Sequence, residues 1–164
     1  MNAAHLHLML NHVPVLAIPF GIAVLAWGMW RQHPEFARLG LIVFLFSAVA
    51  TIPTYATGEP AEDAIASLAG AIEPFVEAHE EAAFASLALG SVLGVLSLVG
   101  LWRGRGAAAL SRPVTAASLA LALVTAGSLG YTANLGGQIR HTELRGTTSA
   151  PAGVPTEAPC ESEG

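Results

Sequence analysis

The 164-residue sequence contains no lysine, a single cysteine (Cys160) and only 12% charged residues. Its basic residues are seven arginines against twelve acids, a net charge of −5, which excludes a broad nucleic-acid-binding surface. One cysteine cannot close an internal bridge, so a disulfide-stapled secreted domain is excluded as well. No serine sits in a G-x-S-x-G elbow, and Gly104-Arg105-Gly106 reads as a turn rather than a phosphate loop. Soluble domains carry about 25% charged residues. Here 53% of the chain is apolar and the mean hydropathy is +0.57. That balance belongs to an integral membrane protein.

A bilayer's hydrocarbon core requires about 20 apolar residues of a spanning helix. Four such runs predict helices over about 3–30, 37–57, 74–102 and 113–140, making residues 1–145 one transmembrane domain. The first run lacks a basic start and a small-residue cleavage site, so it reads as a retained helix rather than a signal peptide. Alternate directions and short connections predict an all-α, antiparallel four-helix bundle. Between helices two and three, Ala61 to Ala71 reads as a short amphipathic surface helix. Residues 146–164 are mostly Thr, Ser, Ala, Pro, Gly and Glu, a composition that predicts a disordered tail.

Arginine sets the expected orientation. Arg31 and Arg38 lie in the first linker and Arg103, Arg105 and Arg112 in the third, whereas the central loop has seven acids and no base. Short basic loops stay in the cytoplasm. The expectation is therefore a bacterial inner-membrane protein with both termini in the periplasm. Small residues at four-residue spacing, Ser86, Gly90, Gly94 and Ser97 in the third helix and Ser118, Ala122, Ala126 and Gly130 in the fourth, predict close helix packing.

Five of the six histidines fall at one membrane level. His5, His7 and His12 open the first helix, His79 opens the third and His141 closes the fourth; only His33 lies at the other end. At about 100° per residue, His5 and His12 share a face and His7 points away from both. His79 aligns with Ser86, Gly90 and Ser97, and His141 with Asn134 and Gly127. Ionisable residues in a membrane bundle mark functional sites by default. Glu59, Glu77 and Glu80 adjoin the cluster, whereas Glu62, Asp63 and Glu73 read as a solvated acidic surface. Pro14 and Pro19 interrupt the first helix and free the carbonyls of Leu10 and Val15.

The run His7-Leu8-Met9-Leu10-Asn11-His12-Val13-Pro14 resembles the start of an uncharacterised family of four-helix bacterial membrane proteins, H-P-x-x-V-H-F-P, with Leu8 for proline and Val13 for phenylalanine. Thr57-Gly58 ending the second helix, His79-Glu80-Glu81 opening the third and the segment Tyr131 to His141 extend the resemblance over roughly residues 5 to 143. It implies a four-helix fold and haem binding through paired histidines.

Two kinds of site follow from the residues. Haem b takes imidazole ligands inside an apolar bundle, with His12 and His79 as the first expected pair and His5, His7 and His141 available for a second. Arg140 and Arg145 suit propionates. Such a protein would be a small redox subunit exchanging electrons with quinone or a periplasmic cytochrome rather than a stand-alone enzyme. The alternative is a zinc, copper or iron ion held by His12, His79, His141, Glu59, Glu77 and Glu80. A structural subunit of a respiratory or photosynthetic complex is the non-catalytic reading. In each case the partner common to all is the lipid bilayer, with no nucleic acid.

Overall fold

The computed structural model describes residues 2–65, 73–106 and 110–141. They form helices α1 (Ala3–Arg31), α2 (Pro34–Ala56), α3 (Gly58–Ile65), α4 (Glu73–Arg103) and α5 (Arg112–Arg140). Four stretches are long and apolar enough to cross a membrane: Ala3–Arg31, Pro34–Ala64, Pro74–Arg103 and Arg112–Ile139. The tail over 146–164, Arg145 and the latter part of the expected surface helix, 66–71, lie outside the described residues.

Local chemistry sets the helix ends. The Asn2 side chain caps α1 by accepting the His5 N–H at 2.9 Å. Pro34 and Pro113 stand in the first turns of α2 and α5, where a missing N–H leaves no bond unmade. Only Gln32 and His33 join α1 to α2, and both their N–H groups reach the Gly28 carbonyl. Gln32 adopts a left-handed φ of 57° to do so. That conformation costs a residue with a β-carbon roughly 1–2 kcal/mol. Gln32→Gly should therefore raise stability by about 1 kcal/mol, measurable as a shift of the denaturation midpoint in detergent.

Helix α1 is continuous through both Pro14 and Pro19. The carbonyl that Pro14 frees, that of Leu10, faces the Thr54 hydroxyl of α2 at 3.3 Å; the same hydroxyl lies 2.8 Å from the Ala50 carbonyl. A proline defect in one helix is thus covered by a threonine in the next, as lipid-embedded backbone requires. Thr54→Val, which keeps the shape and deletes the donor, should cost about 1–2 kcal/mol. Thr54→Ser should cost less, in the same unfolding measurement.

Packing relies on missing β-carbons. A β-carbon on Gly28 would stand 2.5 Å from the Ala37 nitrogen, and one on Gly40 would stand 2.7 Å from the Leu25 Cβ. Gly21 takes the Phe44 ring, Gly94 meets Ala48 of α2, and Gly100 meets Val114 of α5. Late residues of α1 meet early residues of α2, and late residues of α4 meet early residues of α5, so each pair doubles back on itself. Ile18, Leu25, Leu41, Phe44, Leu93 and Ala122 fill the core. Leu16, Phe20, Phe46, Val95 and Val124 point outward, an apolar coat that lipid would cover.

On α5 the inward stripe differs from the four-residue spacing expected. Ser118 and Ala122 are buried, but Gly130 is exposed and Thr125 takes the interior position. A strict four-residue step drifts about 40° around the helix each time. By Gly130 the stripe has left the interface.

Candidate functional site at the histidine end

The five clustered histidines divide into two groups. His5 and His12 are exposed and, with Leu8 and Met9, line a shallow open groove on the outer face of α1. His12 Nδ1–H donates to the carbonyl of Leu8 one turn back. His7, on the opposite face, turns inward against the end of α2. Its Nδ1 lies 3.1 Å from the Thr54 carbonyl and 3.1 Å from the Thr57 hydroxyl. His79 of α4 is half-buried against α5, with Nδ1 3.0 Å from the Thr132 carbonyl.

A carbonyl oxygen only accepts, so Nδ1 carries the proton in both inward-facing rings. In the neutral ring, each Nε2 is then an unprotonated lone pair. Histidines that ligate metals are held in this way, with the remote ring N–H given to a carbonyl or carboxylate. Glycines adjoin both rings. A β-carbon on Gly136 would lie 3.1 Å from His79 Cε1, and one on Gly58 would lie 3.9 Å from His7 Cε1. The structure therefore turns His7, rather than His12, inward at the end of the bundle where His79 also faces inward.

Beneath His79 the α4–α5 interface is hydroxylated. Ser86 Oγ lies 2.8 Å from Ser128 Oγ and 3.0 Å from Thr132 Oγ1. Thr132 Oγ1 donates to the Ser128 carbonyl at 3.0 Å. This cluster ties together the two helices that flank the His79 ring.

Glu59, Glu77 and Glu80 are exposed. Glu62 of α3 reaches Glu80 of α4, carboxyl to carboxyl. Among the described residues no three His, Cys, Asp or Glu side chains converge as a metal set. His141 caps the end of α5 and is exposed, on the side of Asn134 and Gly127, which are exposed too. The side chain of Arg140 lies outside what the structure describes.

Sequence reading missed the groups that orient the two inner rings: Thr54, Thr57, Thr132 and Gly136. One signal was available. Threonine and glycine near helix ends in a membrane protein stand where backbone polar groups need partners and where a ring needs room. The three segments that extend the family resemblance beyond the first helix, around Thr57-Gly58, His79 and Tyr131 to His141, supply most of these contacts.

No curated protein and no solved structure matches the chain. A family model described as "Predicted membrane protein (DUF2231)" matches residues 3–148, nearly the whole of the described structure, and the chain belongs to that family.

Proposed function

We propose that this membrane protein is a b-type haem carrier in which His7 and His79 are the axial ligands. The observation that carries the reading is the pair of half-buried imidazoles from different helices, each locked by a backbone carbonyl with Nε2 left as a lone pair. The donor set fits haem iron, and the missing β-carbon of Gly136 gives the His79 ring the room it occupies. Haem, when bound, supplies a one-electron couple. The chain's own residues would hold the rings in a fixed tautomer, exclude water with apolar helix walls, and keep the site near one membrane surface. Its role is that of a small redox subunit exchanging electrons with quinone or a periplasmic cytochrome.

The reading places the site on the periplasmic side of a bacterial inner membrane, with both termini there. Arginine bias supports this orientation, and so does the clustering of Trp27, Trp30 and Trp102 at the opposite end. Arg31 stacks over Trp27 and Trp30, with its guanidinium 5.6 and 5.8 Å from the ring centres, and Arg105 sits 5.6 Å from Trp102. Aromatic and cationic side chains paired in this way suit a membrane–water boundary.

The test is an optical spectrum of the detergent-purified full chain, expressed with haem supply, oxidised and then reduced with dithionite. A sharp Soret band with a narrow reduced α band is expected. A featureless spectrum sinks the proposal.

A further inference from the structure

The α4–α5 interface holds a file of hydroxyls that the haem reading does not use. On α5 they are Thr115, Ser118, Thr125, Ser128 and Thr132; on α4 they are Ser86 and Ser97. Thr115 is 4% exposed, Thr125 1% and Ser86 3%, while Ser97 and Ser118 are fully buried. From Thr115 to Thr132 the file covers roughly 25 Å at 1.5 Å per residue, most of a hydrocarbon core about 30 Å thick. Hydroxyls at a helix interface in lipid pack closely and bond within or across helices, so those that make no such bond stand out.

Two of them lack partners. Thr115 donates to the Arg112 carbonyl at 3.0 Å and Thr125 to the Leu121 carbonyl at 2.8 Å, the usual way a helical hydroxyl is satisfied. Among the described residues, Ser97 Oγ and Ser118 Oγ are buried and find no hydrogen-bond partner. Both lie at one level, because Gly100 meets Val114 about a turn nearer the arginine end, and Ser86 meets Ser128 and Thr132 nearer the histidine end. Each hydroxyl brings one donor and two acceptor sites to that level, enough to hold a water molecule in a hydrogen-bonded chain.

The next step passes Leu93 and Ala122, both fully buried. There Gly90 is buried too, yet a β-carbon on it would meet nothing within 4 Å. That leaves a small space on the α4 side, at the level of Thr125. Beyond it stands the Ser86–Ser128–Thr132 cluster, already hydrogen-bonded.

We propose that the α4–α5 interface is a water-assisted proton path across the membrane, from Thr115 through Ser118 and Ser97, past Gly90 and Thr125, to the Ser86–Ser128–Thr132 cluster. Each hydroxyl or water takes a proton on one lone pair and releases its own on the other side. Nothing is oxidised, no bond other than O–H is remade, and the file returns to its starting state after its O–H groups reorient. The path does not require haem, so it stands or falls separately from the proposed ligands.

The experiment reconstitutes the full chain in liposomes that enclose a pH-sensitive dye, with potassium and valinomycin to balance charge. After an external pH step, the internal pH should change severalfold faster than in protein-free vesicles of the same lipid. Thr125→Val and the paired change Ser97→Ala with Ser118→Ala should each bring the rate down towards the protein-free value. A wild-type rate equal to that of protein-free vesicles overturns the proposal. So does a fast rate that the substitutions leave unchanged, since the leak then runs elsewhere. If a variant fails to fold, a second measurement decides. Ser97→Cys in a Cys160→Ser background, in intact membranes, should react with a small cationic thiol reagent. A thiol that stays unmodified there means a dry serine pair and overturns the path.

Discussion

Gly28→Leu should open the α1–α2 hairpin, and Gly28→Ala should already destabilise the protein by about 3 kcal/mol, the upper end of the usual range for overpacking a tight core. At this point the two helices touch backbone to backbone. A β-carbon on Gly28 would stand 2.5 Å from the Ala37 nitrogen and 2.9 Å from the Phe36 carbonyl carbon, neither of which can rotate away. The connection is also short, only Gln32 and His33, so α2 cannot slide to relieve the clash without breaking the bonds to the Gly28 carbonyl. Gly21→Ala should cost less, because the atom it meets is the edge of the Phe44 ring. Gly130→Ala supplies the control. That glycine is exposed and its β-carbon would meet nothing within 4 Å, so the change should be neutral or gain up to about 1 kcal/mol of helix propensity. Denaturant-induced unfolding in one detergent ranks all three. Equal effects at Gly28 and Gly130 would show that the hairpin is not packed as described.

With the proposed haem bound, His79→Ala and His7→Ala should each remove the six-coordinate spectrum, whereas His12→Ala should leave it in place. The argument is geometric. His7 and His79 face the bundle from different helices, and each gives its Nδ1–H to a carbonyl. His12 spends its Nδ1–H on its own helix and lies exposed on the outer face beside His5. Loss of one axial ligand changes coordination outright, so the expected change is the disappearance of the narrow reduced α band rather than a small shift. Gly136→Val gives an independent readout. Its side chain would enter the space of the His79 ring and push Nδ1 off the Thr132 carbonyl, disturbing the spectrum while leaving both histidines in the chain. A spectrum lost with His12→Ala but kept with His7→Ala would reverse the assignment of the α1 ligand.

Much of the architecture was legible in the residues themselves. Four runs long enough for a bilayer, the arginine-rich turns and the gathering of histidines at one end need only hydropathy, charge and position along the chain. Helical phase was legible too. Seven residues are about two turns, so His5 and His12 had to share a face and His7 had to leave it.

Which of those faces looks inward was not legible, and the reason is the solvent. In water the apolar side of a helix marks the core, but lipid tails are as apolar as leucine. Along α1 the lipid-facing residues Leu16 and Phe20 and the core residues Ile18 and Leu25 are of one kind. Hydropathy therefore cannot tell them apart. What separates them is steric fit: Gly28 against Ala37, Gly21 against Phe44, Gly40 against Leu25. That fit turns His7 towards Thr54 and leaves His12 outside. The same holds on α5, where Ser118, Ala122 and Thr125 lie inside and Gly130 outside because the helices cross along a line that does not follow a four-residue step. Composition and order along the chain determined the spans and the level of the histidines. Close packing of glycines against neighbouring helices, which only the tertiary structure contains, decided which histidines face inward.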